Sequence, residues 1–171
     1  MFTKTAVEKP EPIVEKEKIK ETLLRIITYS LDFVALGIVG KTTGKRFLVC
    51  ETGFQYSLWK TLGGRPELYG ELKENPLNTI SREIREEAGI VTLDPEVEDI
   101  FLIQELRNRK GDCYYAIAFD LKYYSGEVEK GKEIAELKEF AKDEVSDAIS
   151  SNKMVPLHIP IWKYYINNLW K

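Results

Sequence analysis

The sequence predicts an α/β chain in which a mixed sheet is covered by helices on both faces, and three observations carry that expectation. Runs rich in β-branched and aromatic residues recur along the chain, apolar residues at helical spacing mark other segments, and the two kinds of segment alternate in irregular order. With 171 residues, 43% of them hydrophobic, the chain can bury one good core and is too short for two comfortable domains. Its 28 acidic residues against 25 basic ones leave a net charge of -3 and a pI near 5.4. No overall basic footprint results, which disfavours a nucleic-acid partner. The longest apolar run, "FVALGIVG", has eight residues, against roughly 20 needed to cross a bilayer, so no membrane segment is expected. The opening "MFTKTAVEKPEPIVEKEK" has neither the apolar core of a signal peptide nor the Arg-rich, acid-poor make-up of a transit peptide, which predicts a cytoplasmic location.

The elements follow in order. Residues 1 to 31 read as a charged leader, its first 12 positions rich in Lys, Glu and Pro, followed by an amphipathic helix. The stripe of that helix is Ile19, Leu23, Ile26 and Ile27. Residues 32 to 171 form the expected domain. Strands are expected over 32 to 40, 45 to 51 and 57 to 62, separated by turn signals such as "GKTTGK". After a central helix come "VEDIFLIQEL" and "CYYAIAFDLKYY", two strands joined by the turn "RNRKGD", and then a shorter strand around 136 to 141. "DEVSDAI" reads as a short helix capped by Asp143, and "PIWKYYINNLW" as a closing helix that begins with proline. Cys50 and Cys113 have no metal-binding or redox spacing and are expected as buried free thiols.

The central helix is the best punctuated. Asn75 suits the N-cap, Pro76 the first helical position and Gly89 the left-handed position just past the end, so the helix should run from Pro76 to Ala88. At 100° per residue Leu77, Ile80, Ile84 and Ala88 share the stripe that faces the core. Glu83, Glu86 and Glu87 occupy the adjoining arc. Their placement opposes the local electrostatics: a like-charge pair four apart costs about 0.2 to 0.5 kcal/mol, and acids near a helix C-terminus cost about 0.3 to 1 kcal/mol each. Two readings fit the bare triplet. It is either an ordinary charged face partly neutralised by Arg82 and Arg85, or a set of hard oxygen ligands for Mg²⁺ or Mn²⁺ that serves phosphate chemistry.

The stretch Glu74 to Ile90, "ENPLNTISREIREEAGI", resembles the helical half of the Nudix box. That pattern is Gly, five residues, Glu, seven residues, then Arg-Glu-aliphatic-any-Glu-Glu-any-Gly-aliphatic, and every specified position from Glu74 onward matches. The loop half departs from it. The family's glycine falls on Leu68, and the pair Gly63 and Gly64 lies about four residues too far upstream. An alternative register pairs Gly70 and Glu71 with the family's Gly-Glu step; the register that keeps Asn75 and Pro76 as the helix start is preferred. Downstream, "EIAELKEFAKDEV" is similar to the family's stretch of glutamates before a strand ending in an aromatic, with Phe140 in the aromatic place.

The resemblance implies the Nudix-type α/β/α sandwich with a mixed sheet and a catalytic loop-helix-loop. It implies Glu83, Glu86, Glu87 and the Gly63 carbonyl as ligands of Mg²⁺ (or Mn²⁺). Arg82 is expected to orient a glutamate such as Glu74, Glu83 and Glu136 compete as the base that activates water, and Glu133 is a further acid within reach. The implied activity is hydrolysis of a diphosphate linkage in a nucleoside diphosphate derivative, a small molecule, by water attack on phosphorus. Nucleoside triphosphates, ADP-ribose, nucleotide sugars, dinucleoside polyphosphates and RNA 5′ ends all belong to the candidate class. A Nudix-fold nucleotide-binding or regulatory module without turnover is the alternative. An isomerase of the isopentenyl diphosphate type fits poorly, since those enzymes bind metal through several histidines and His158 is the only one here; it is expected to be structural. Tyr56, Trp59, Tyr69 and Tyr114 are candidate stacking surfaces, and Arg107, Arg109 and Lys110 read as a solvated hairpin turn. Many relatives pair, so a homodimer is compatible with the resemblance.

Overall fold

The computed structural model describes residues 10–41, 44–53 and 58–171. Positions 1 to 9 of the leader, Thr42 and Thr43 of the expected turn, the strand start Ser57 and the stacking candidate Tyr56 lie outside the described residues.

A strand with two apolar faces sits at the centre of the sheet. In β1 (Phe33–Gly40) Phe33, Ala35 and Val39 point to one side and Val34, Leu36 and Ile38 to the other, the period-2 alternation of a pleated strand covered on both faces. β2 (Arg46–Glu51) meets the end of β1 antiparallel at Gly40 and Arg46, while β3 (Leu62–Gly64) runs antiparallel to the earlier part of β1, with Ala35 opposite Gly64. The edge of β1 is thus shared by two strands. On its other edge β1 runs parallel to β8 (Cys113–Ser125), from Phe33 opposite Tyr115 to Gly40 opposite Lys122. β6 (Val91–Thr92) and β7 (Ile100–Arg107) pair antiparallel with β8, and β9 (Ile134–Phe140) pairs antiparallel with β2. The sheet is therefore mixed, as expected.

Helices cover both faces. On one side α1 (Lys16–Thr28) and α2 (Pro76–Ala88) share a core with Ala35, Phe47, Ile117 and Phe119. On the other, α3 (Lys142–Ser150) and α4 (Ile159–Asn168) bury Val145, Trp162 and Tyr165 against Ile38 and Leu48. This is the α/β/α sandwich that the sequence predicted. Among the described residues no helix is long and apolar enough to cross a membrane.

Some local expectations change. Ile27 is 51% exposed; it lies 100° round the helix from buried Ile26, and the sheet takes only the narrower arc of Ile19, Leu23 and Ile26. The strand expected over 57 to 62 joins the ladder only at Leu62, with Trp59 and Lys60 making isolated bridges to Met154 and Val49. Ala141, not Asp143, caps α3, because the Glu144 carboxylate reaches back to accept the Ala141 N–H at 2.7 Å and leaves Asp143 inside the first turn. Cys50 is buried, but Cys113 is exposed: it opens β8 beside the turn and its Sγ donates to Glu105 Oε1 at 3.2 Å.

α2 matches its expected limits residue for residue. Asn75 is the N-cap and its side chain accepts the Asn78 N–H at 2.9 Å, Pro76 is the first helical residue, and Gly89 is left-handed with φ of 70°. Asn75→Ala is expected to lower stability by about 1 kcal/mol, the usual worth of such a cap, read as a drop in the urea midpoint at constant slope.

Candidate active site

α2 lies close against the sheet because β1 has no side chain at Gly37, where a Cβ would stand 2.9 Å from Ile84 Cδ1 and 3.0 Å from Ile80 Cδ1. That approach sets the next arc of the helix against the two glycines of β3. A Cβ on Gly64 would stand 2.5 Å from the Glu83 carboxylate carbon, and Gly63, at φ of 140°, has no room for a Cβ because the Ala35 carbonyl occupies the space. With that space free, the Gly63 N–H donates to Glu87 Oε1 at 2.6 Å. Both glycines bring backbone up to carboxylates.

Two cations serve the glutamates, Lys60 for Glu87 and Arg82 for the others. Glu87 is only 8% exposed; burial pushes its carboxyl up to about 7, against the pull of Lys60 and the Gly63 N–H. Lys60 Nζ lies 3.3 Å from Glu87 Oε2 and also pairs with Glu51 of β2. Burial would lower the lysine pKa, yet the two carboxylates outweigh it and the net shift is upward. Glu83 is raised by burial, with Arg82 opposing. Arg82 is a hub: its Nε and Nη2 donate to Glu74 at 3.0 and 2.9 Å, Nη1 to Glu83 Oε1 and Glu86 Oε2 at 3.0 Å each, and Nη2 to the Arg65 carbonyl at 2.9 Å. Burial alone would raise the Glu74 carboxyl, but the bonds from Arg82 and others hold it below its ordinary value. The hydrogen bond to Glu74 in turn raises Arg82. The expected Arg82–Glu74 contact is present, and Glu83 and Glu86 share the same guanidinium.

Glu83, Glu86, Glu87, Lys60 and the two glycines form one wall of a cleft of about 680 Å³ that also exposes Glu51, Arg65 and Glu133, with Leu36, Leu106 and Ala116 among its apolar lining; Glu74 and Arg82 do not line it. Of the two downstream acids, Glu133 lines the cleft, whereas Glu136 is exposed on β9 opposite Cys50 and does not. Tyr114 lines the cleft, Tyr69 is exposed, and Trp59 packs edge-on against Phe140 at 4.7 Å. Arg107, Arg109 and Lys110 remain on an exposed hairpin turn whose backbone is tied by Asn108. The extra residues of the box loop form a hairpin of their own, β4 (Leu68–Tyr69) and β5 (Leu72–Lys73), turning at Gly70 with φ of 64°.

His158 was expected to be structural. Its Nδ1 accepts the Thr61 N–H at 3.0 Å, and the residue also lines the cleft, although it lies far from the central helix in sequence. Burial, then Lys60, lowers its pKa to about 4, so the ring is neutral with its proton on Nε2. No local pattern in "PLHIP" signals this placement, because it depends on the turn Pro156–His158 docking beside Thr61.

The donors suit a hard divalent cation: the carboxylates of Glu83, Glu86 and Glu87 and the carbonyl of Gly63 are all oxygens. Buried Glu87 is stable as an anion only beside positive charge. Among the described residues no three acidic, histidine or cysteine side chains yet converge on one point, and Lys60 and Arg82 are the cations that now hold the carboxylates. Lys60 also pulls the Glu87 carboxyl down, so Lys60→Met is expected to move the rise of Mn²⁺ affinity with pH to higher pH than in wild type, in titrations across pH followed by the spectrum of free Mn²⁺. A rise at the same pH or lower contradicts this coupling.

The sequence matches no family model and no curated protein. Its architecture does match solved structures. A NUDIX hydrolase from Nitrosomonas europaea is similar with a TM-score of 0.62 at 19% identity, covering 79% of this chain and 88% of that one. The ORF135 protein of E. coli gives 0.61 at 20% identity, covering 80% and 89%. A MutT protein from Methanosarcina mazei Go1 gives 0.61 at 17% identity, covering 80% and 92%. Sheet order, helical layers and these likenesses agree: the chain has the fold of the Nudix hydrolases.

Proposed function

We propose that this chain is a Mg²⁺-dependent Nudix hydrolase that cleaves a diphosphate linkage in a nucleoside diphosphate derivative by attack of water on phosphorus. One observation carries the reading: a helix and a glycine pair gather Glu83, Glu86, Glu87 and the Gly63 backbone on the wall of a cleft of about 680 Å³. A bound divalent cation supplies Lewis-acid charge at phosphate oxygens and makes a bound water more acidic. Glu87 and Glu86, with the Gly63 carbonyl, would hold it. Glu83 accepts the proton of the attacking water; burial raises its carboxyl toward the working pH, which suits a base. Glu133 stands on the same cleft as a second acid, and its position favours it over Glu136. Arg82 keeps Glu83 and Glu74 in place and need not touch substrate. His158 presents a neutral Nε2–H, which fits an acceptor atom of the substrate.

The test is release of phosphate or monophosphate from a mixed panel of nucleotides and nucleotide conjugates with Mg²⁺, scored by product mass. Turnover that depends on Mg²⁺ is expected; tight nucleotide binding with no turnover of any compound sinks the enzyme reading. A pH effect follows from Glu87. An acid raised to about 7 keeps its proton below that pH, and the proton must leave before a cation can bind. Mn²⁺ affinity is expected to be about ten-fold weaker at pH 6 than at pH 8, measured by calorimetric titration; a flat profile contradicts Glu87 as a ligand.

A further inference from the structure

The stretch that leads into the glycine pair is held residue by residue. In an extended chain the N–H groups of successive residues point to opposite edges. Lys60 faces β2, exchanging backbone bonds with Val49 at 2.8 and 3.0 Å, and Leu62 and Gly64 lie opposite Gly37 and Ala35 of β1. Trp59, Thr61 and Gly63 therefore face the other edge. Among the described residues β3 pairs with no second strand there, yet each of the three N–H groups has an acceptor. Trp59 donates to the Lys153 carbonyl at 2.8 Å, Thr61 to His158 Nδ1 at 3.0 Å and Gly63 to Glu87 Oε1 at 2.6 Å. Side chains of α4 and α2 thus stand where a neighbouring strand would.

Thr61 is gripped twice. It is fully buried, and while its N–H meets His158 at the start of α4, its Oγ1 accepts the Trp162 Nε1–H at 2.9 Å. His158 and Trp162 are four residues apart, so both present to the same side. Trp162 is wholly buried and does not line the cleft, so it reaches the site only through Thr61. Burial keeps the His158 ring neutral, and Nδ1 retains its lone pair. Beyond Thr61 little steers the chain: Gly63 and Gly64 carry no side chains, and Gly63, at φ of 140°, adopts a backbone that glycine can leave at small steric cost. The direction of the Gly63 N–H is inherited from the residue two places earlier on the same edge.

We propose that His158 and Trp162 are positioning residues, which clamp Thr61 from α4 and thereby aim the Gly63 backbone at Glu87 and the cation site. The link to the cation rests on the hydrolase reading, whereas the hold on Gly63 does not. This role uses His158 Nδ1 and is separate from the Nε2–H offered to substrate.

The experiment follows amide hydrogen exchange of Gly63 by NMR in the metal-free protein, divided by the exchange of β8 amides, which report global opening. His158→Leu removes the acceptor, and His158→Asn returns an oxygen close to the place of Nδ1. Thr61→Val combined with Trp162→Phe deletes the hydroxyl and its donor together, so neither is left orphaned. His158→Leu is expected to speed Gly63 relative to β8 about ten-fold, the worth of one hydrogen bond, and the double variant about three-fold. His158→Asn is expected to stay close to wild type. Mn²⁺ dissociation constants at pH 8, measured without substrate, are expected to weaken in the same order.

An unmoved Gly63 ratio in His158→Leu, or His158→Asn as fast as His158→Leu, overturns the proposal. If His158→Leu does not fold, an unmoved ratio in the double variant overturns it instead. Faster exchange with unaltered Mn²⁺ affinity overturns the link to the cation. A wild type that binds no Mn²⁺ sinks the hydrolase reading alone, and the exchange ratios still decide the clamp.

Discussion

Glu83→Gln combined with Glu87→Gln is expected to lower kcat/KM by about 10³-fold or more and to remove Mn²⁺ binding, in a protein that still folds. The folding expectation is specific. A glutamine at 87 keeps an oxygen to accept the Gly63 N–H, and one at 83 keeps an oxygen for Arg82, so both contacts survive without charge. What disappears is the anionic character that a hard cation requires and the proton acceptor for water. Removing a single preorganised electrostatic contact from an active site costs about 10²- to 10³-fold, and two are removed here. Circular dichroism and urea unfolding check the fold, and free Mn²⁺ is measured in the same samples. If the double variant is folded and still binds Mn²⁺ and turns over substrate, the assignment of this helix face is wrong.

Arg82→Ala is expected to be the most destabilising change in the candidate site. Its guanidinium is the shared partner of Glu74, Glu83 and Glu86 and bonds the Arg65 carbonyl. Its loss leaves Glu74 with a mostly buried, uncompensated carboxylate and sets Glu83 and Glu86 against each other. Breaking one partner of a fully buried pair costs about 3 to 5 kcal/mol. Because Glu86 is half exposed and solvent screens its share, about 2 to 3 kcal/mol is the expected loss in urea unfolding. Arg82→Lys is not expected to restore it, since a single ammonium cannot reproduce the fork that reaches three carboxylates and a carbonyl. A loss under about 0.5 kcal/mol for Arg82→Ala, the range of ordinary surface changes, contradicts the hub.

The chain's own letters determined those features that depend on neighbours within a few turns. α2 is set by Asn75, Pro76, Gly89 and the spacing of Ile80, Ile84 and Ala88, and its acidic arc follows from helical periodicity alone. The alternating strands and their covering helices follow in the same way from local pattern, which is why the layered architecture was legible before any coordinates. Features set by contacts distant in sequence were not. The Glu87–Lys60 pair joins residues 27 apart, and the Thr61–His158 bond joins residues 97 apart. Lys60 and His158 carry no local mark that separates them from an ordinary surface lysine and a core histidine.

Only the tertiary structure decided which of two downstream acids faces the cleft, because Glu136 lies within β9 opposite Cys50 whereas Glu133 precedes β9, its carbonyl accepting the Thr52 N–H at 2.9 Å. It also decided what the lengthened loop does. A four-residue excess in a box pattern says that something differs; that it closes into a hairpin pinned by Lys73 to the Ser30 carbonyl and Asp32, and walls a cavity, is a matter of long-range contact. Local periodicity sets the direction of a side chain relative to its own element, whereas what it meets there depends on how separate elements dock.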